Sequence, residues 1–144
     1  MGTRSCERSP LRGTSPAKMQ RTMHIAAICA LVIVALLHLI FLVLEMFLWS
    51  TPTGRRIFAL SPELAEGSKK LAANQGLYNG FLTAGLLWGA FGTFAGDDAL
   101  RTQLFFLACV IVAGVFGGLT TKRSILWLQA LPGVVAATLV WLAR

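Results

Sequence analysis

Between His24 and Glu45 the chain runs for twenty residues, "IAAICALVIVALLHLIFLVL", without a Lys, Arg, Asp, Glu, Pro or Gly. About 20 such residues make a helix of roughly 30 Å, the thickness of a bilayer's hydrocarbon core. Backbone N–H and C=O groups in lipid meet no water, so a spanning segment must satisfy them internally as an α-helix. This requirement limits the fold more than any other feature. A soluble domain of the same length needs a charged surface, and with 56% hydrophobic and 13% charged residues this chain cannot supply one. One compact unit is expected at this size.

Four spans are expected, at about 24–49, 71–94, 103–119 and 125–143, each long and apolar enough for a crossing. The predicted fold is all-α, an antiparallel bundle of four transmembrane helices over residues 23–144, multi-pass in the cell membrane. Thr51-Pro52 and Gly54 stop the first helix. The short polar turns "AGDDALRTQ" and "TTKRS" make successive helices neighbours that run antiparallel. The first loop is longer and carries its own helix start, with Ser61 as N-cap, Pro62 at the first position and Glu63 near the positive end of the dipole. A helix from Pro62 through Phe94 would be about 50 Å long, too long for one crossing. The part before Lys69 and Lys70 is therefore expected at the interface, with a bend at Gly67. Residues 1–22, rich in Ser, Thr, Pro, Gly and Arg, read as a disordered basic tail.

The net charge of +7 invites a nucleic-acid reading, but placement argues against it. Cations cluster in the tail and at the ends of apolar runs, where they anchor in lipid headgroups and set topology. Arg55, Arg56, Lys69, Lys70, Lys122 and Arg123 share one expected face. Arg101, Arg144 and five tail cations share the other, so the counts of six and seven do not fix the orientation. Translation from Met19 would leave three on the second face and put the first and third loops in the cytoplasm. Trp49 and Trp127 fall at one end of the spans and Trp88 and Trp141 at the other, as interfacial belts do. Cys6 lies in the tail, whereas Cys29 and Cys109 sit in apolar runs and read as small hydrophobes rather than a disulfide framework.

Counting inward from the shared face of loops one and three brings polar groups to one level. Glu45 comes from the first span, Asn74 and Gln75 from the second and Gln129 from the fourth; Tyr78 and Asn79 of the second span lie one turn deeper, and His38 and Thr83 another turn deeper still. His38 and Glu45 are seven residues apart, about 20° from one line along a helix and about 10 Å along its axis. An acid in lipid normally faces protein or water and has partners, and carboxamides and a phenol supply them. The expected site is a polar pocket of His38, Glu45, Asn74, Gln75, Tyr78, Asn79 and Gln129. It would bind or translocate a small polar or cationic solute, with transport requiring a homodimer because a four-span core is narrow. Two rivals stand beside it. In one, an intramembrane enzyme uses His38 and Glu45 as proton donor and acceptor on a lipid-like substrate. In the other, a structural subunit uses the polar layer and its glycines as packing glue between helices. No nucleotide loop, dinucleotide fingerprint, CxxC or HExxH motif occurs, so no cofactor and no metal are expected.

"HLIFLVLEMFLW", "GRRIFALSPE" and "LAANQGLYNGFLTAGLLWG" resemble the small bacterial and fungal membrane proteins grouped as domain of unknown function 1304. The likeness runs from about residue 24 to the C-terminus. It is strongest over Glu45–Trp49 and Asn74–Gly80. The resemblance implies four spans and no established activity. Members commonly carry a Tyr two residues after the histidine, where this chain has Ile40.

Overall fold

A computed structural model describes residues 15–92 and 97–144, and the regular elements among them are all helical. They are α1 (Pro16–Met46), α2 (Pro52–Phe58), α3 (Pro62–Phe91), α4 (Asp97–Thr120) and α5 (Leu131–Leu142), with a π-helical turn over Leu126–Ala130 leading into α5. Three starts use one device, a hydroxyl N-cap followed by proline. Ser15, Thr51 and Ser61 accept from the amides of Lys18, Gly54 and Leu64, and Pro16, Pro52 and Pro62 need no partner where an N–H would be an orphan. At the start of α3, Glu63 is held below the ordinary carboxylate range by its own backbone N–H, helped by the Ser61 hydroxyl and Arg55.

Three expectations are corrected here. α1 begins at Pro16, ahead of the expected 24, so residues 16–22 of the supposed tail are helix; residues 1–14 lie outside the described residues. The capping signal outweighs the polar composition, and Gln20 ties this turn down by donating to the Ala143 carbonyl at 2.9 Å. α3 does not bend at Gly67 but continues unbroken, because a lone glycine with open space around it costs helix stability without removing a hydrogen bond. The fourth long segment is irregular at its start. Pro132 cannot donate to the carbonyl four residues back, and the turn before it widens so that Leu131 N–H reaches the Leu126 carbonyl.

The long helices alternate in direction. Gly76 backs onto Glu45 and Met46, Gly80 onto Leu42, and Thr83 bonds the Ala35 carbonyl, so α1 and α3 run antiparallel. Gly85 meets Phe106 and Gly89 meets Gln103 between α3 and α4. Gly118 against Leu126, Gly114 against Ala130 and Gly133 against Val110 set α4 against the last segment. That segment returns to α1 where Gln20 meets Ala143. Small residues sit at each crossing, which lets backbones come close. Leu31, Val34, Leu86, Leu107, Val110 and Ala136 close the core. The outer faces remain apolar, with Ile33, Ile40, Phe81, Phe105, Phe116 and Leu119 all exposed. α1 and α4 are long and apolar enough to cross a membrane.

Candidate functional site

The polar groups of the α1–α3 seam stand on one side of each helix. Along α1, Leu31, Val34, Ala35 and His38 are buried, and Glu45 continues the same stripe two turns on, half-buried. Along α3 the seam is Ala72, Gly76, Asn79, Thr83 and Leu86. Gly76 and Gly80 have no side chains to hold the helices apart, so Leu42 and Met46 pack on α3 and bring Glu45 within reach of Asn79. The Asn79 Nδ2 group donates to Glu45 Oε2 at 2.7 Å, and the Gln75 carbonyl lies 3.4 Å from the same nitrogen. Glu45 Oε1 makes no hydrogen bond among the described residues. One carboxylate oxygen is thus fixed and the other is free.

The same antiparallel register sets His38 level with Thr83, deeper between the helices. Thr83 Oγ1 lies 2.9 Å from the Asn79 carbonyl and 3.3 Å from the Ala35 carbonyl, so its single proton is shared between its own helix and the neighbour. His38 is only 2% exposed, with Nδ1 2.8 Å from the Val34 carbonyl. A carbonyl can only accept, so Nδ1 carries the proton and, on a neutral ring, Nε2 is left as an acceptor. Nε2 is buried and has no partner. The site therefore offers two open acceptors, an imidazole nitrogen and a carboxylate oxygen, about two helical turns apart at roughly 10 Å.

The gathering is narrower than the seven residues singled out from the sequence. His38, Glu45 and Asn79 lie in the seam together with Thr83. Asn74 and Gln75 are exposed. Tyr78 is 53% exposed, its ring edge-on to Phe81 at 6.1 Å between centroids. Gln129 is half-buried in the π-helical turn, which packs on α4, and it bonds neither Glu45 nor Asn79. A further polar set went unnoticed in the sequence. His24, Asp97, Gln103 and Arg144 line a cavity of about 440 Å³ at the opposite end of the long helices. Their available signal was position, since each lies at or near the end of its apolar run. Among the described residues, no group of three or more His, Cys, Asp or Glu could hold a metal ion.

A family model described as "Protein of unknown function (DUF1304)" matches residues 32–141, which takes in every residue of the seam site. The chain is similar to "Uncharacterized protein YpaA" of Lactococcus lactis subsp. lactis (strain IL1403), at 32% identity over 109 residues covering 74% of this chain and 89% of that protein. No solved structure matches.

Proposed function

This chain belongs to the DUF1304 family of proteins of unknown function, and from that premise we propose a four-span protein of the cell membrane whose Glu45–Asn79 seam binds a small cationic or polar solute. Two helices that meet the length and polarity of a span support the membrane reading, as does an outer surface studded with exposed Phe, Leu and Ile. α3 joins them in this reading because its seam side is occupied and its other faces carry Leu77, Phe81, Leu87 and Phe91. α5 completes the set, with short turns keeping neighbours antiparallel.

The observation that carries the solute reading is the half-satisfied carboxylate. Asn79 holds one oxygen of Glu45 at 2.7 Å while the other has no protein donor. An ionisable group inside a span is costly and usually serves an ion or substrate path. A cation or a proton on the free oxygen would neutralise it there, and the fixed Asn79 amide would keep the carboxylate oriented. Mass spectrometry of small solutes retained by the purified protein tests this. Wild type should keep at least one solute that Glu45→Gln loses, and that solute should then be moved by wild-type vesicles. Identical retained sets would overturn the reading.

A second reading has an observation of its own. The direct Asn79–Glu45 bond and the close Gly76 and Gly80 contacts are what interhelical glue looks like, at about 0.6–2 kcal/mol per bond. Stability measurements on seam variants separate the two.

A further inference from the structure

The cavity at the far end of the long helices has features that the Glu45 seam lacks. α1, α3, α4 and α5 all contribute to its wall, and its 440 Å³ falls within the usual range of about 300–1,000 Å³ for ligand pockets. Its floor is apolar, with Ile28 and Val140, and its rim carries His24, Asp97, Gln103 and Arg144. Opposite charges share this rim without neutralising each other. The ion pairs among the described residues are Lys69–Glu66 and Arg101–Asp98, and neither involves Asp97 or Arg144. Arg144 is instead stacked on the Trp141 ring, 3.5 Å from its centroid, which positions the guanidinium without consuming its N–H donors. Gln103 donates its Nε2 to the Gly89 carbonyl at 2.7 Å, which leaves its side-chain oxygen as an acceptor.

We propose that this cavity binds the headgroup of an ethanolamine phospholipid, with Arg144 and His24 on the phosphate and Asp97 and Gln103 on the ammonium. Guanidinium groups suit phosphate because their N–H donors form a planar fork. A primary ammonium has three N–H donors, which match the three acceptor oxygens of Asp97 and Gln103, two on the carboxylate and one on the carboxamide. A choline headgroup has none, and an anionic glycerol headgroup would face Asp97 with no cation to offer. The ligand is lipid rather than free phosphate ester because the cavity lies where α3 and α5 end and α4 begins, and apolar Ile28, Leu100 and Val140 line it beside the polar groups. A Trp beside the rim fits headgroup depth. The inference shares the membrane reading above and is independent of any solute at Glu45.

The full chain is reconstituted in nanodiscs with equal parts of phosphatidylethanolamine, phosphatidylcholine and phosphatidylglycerol, and retained lipid is read by native mass spectrometry. Wild type should retain phosphatidylethanolamine about tenfold over either competitor, the size of one charge-assisted hydrogen bond. Asp97→Asn should shift the preference to phosphatidylglycerol, a switch that misfolding cannot mimic. Arg144→Gln should lower retention of all three lipids, since each carries the phosphate, and Glu45→Gln should leave the wild-type preference in place. Glycerophosphoethanolamine added free at millimolar concentration should not displace the lipid. Equal retention of the three lipids, an Asp97→Asn variant with the wild-type preference, or displacement by the free ester would overturn the proposal.

Discussion

Asn79 and Glu45, thirty-four residues apart in the chain, are joined across the α1–α3 seam by a 2.7 Å bond from the amide to the carboxylate. The bond is asymmetric in what its loss leaves behind. Asn79→Leu strands a half-buried acid with no donor, at a cost of about 1–3 kcal/mol. Glu45→Gln keeps an acceptor oxygen in place and should cost under about 1 kcal/mol. Reversible unfolding in mixed micelles measures both. If Asn79→Leu is no more harmful than Glu45→Gln, the bond does not hold the seam. If both unfold the protein, the glue reading accounts for the pair.

Glycines provide a sharper contrast, since their surroundings differ so much. A Cβ on Gly114 would sit 2.6 Å from the backbone nitrogen of Ala130 and 2.9 Å from its Cα. Backbone cannot step aside as a side chain can, so α4 and the last segment must separate, and Gly114→Ala should cost about 1–3 kcal/mol or more. A Cβ on Gly67 would meet nothing within 4 Å, in the exposed first half of α3. Gly67→Ala should instead stabilise by about 0.5–1 kcal/mol, because alanine loses less backbone freedom on entering a helix. Melting curves that show the two substitutions moving stability the same way would contradict the packing described.

Which parts were legible in the sequence follows from how local their causes are. Ser61-Pro62 announced a helix start because a cap and its first turn are four residues of local chemistry. Ser15-Pro16 carries the same signal but was hidden by the polar composition around it. Counting depth along helices set Glu45 level with Asn74 and Gln75 and put Asn79, its partner in the structure, one turn deeper. Rise per residue is fixed, but the count started from Trp49 and α1 ends at Met46. Rotation was harder to read. Polar residues from 74 to 79 fill a broad arc, and only contact with α1 decides which part of it turns inward. That contact centres on Gly76 and Gly80, and Tyr78 lies about 160° round the axis from Gly76 at 100° per residue. Pro132 is visible in the sequence, but the turn before it also packs on α4, where Ala130 meets Gly114, and that long-range contact is one no local pattern encodes.

The antiparallel run of the helices has a direct chemical readout. With Cys6, Cys29 and Cys109 replaced, single cysteines are placed by Arg56→Cys, Asp98→Cys and Arg123→Cys, all exposed: Arg56 on the short α2 between α1 and α3, Asp98 at the start of α4 and Arg123 in the turn after it. A membrane-impermeant maleimide added to sealed vesicles should label positions 56 and 123 from one side and position 98 from the other. Labelling of positions 56 and 98 from one side would rule out a crossing by α3 and with it the four-span proposal.

His38 provides the test that best separates a functional seam from a structural one. Its Nδ1 leans on the Val34 carbonyl at 2.8 Å, but that carbonyl also accepts the backbone N–H of residue 38 in the helix, so removing the ring orphans nothing. Its Nε2 is already unpartnered, so the ring brings a buried polar atom that nothing in the seam repays. His38→Leu should therefore be neutral to stabilising, within about 1 kcal/mol of wild type. His38→Ala removes the bulk as well and should cost about 2 kcal/mol or more through the cavity it leaves. An imidazole kept for structure predicts the reverse for leucine, a loss comparable to that of alanine. If His38→Leu holds its stability and yet changes the retained solutes, the open nitrogen belongs to the binding site with Glu45. If it keeps both stability and solutes, the site ends at Asn79 and the ring is a space-filling residue of the core.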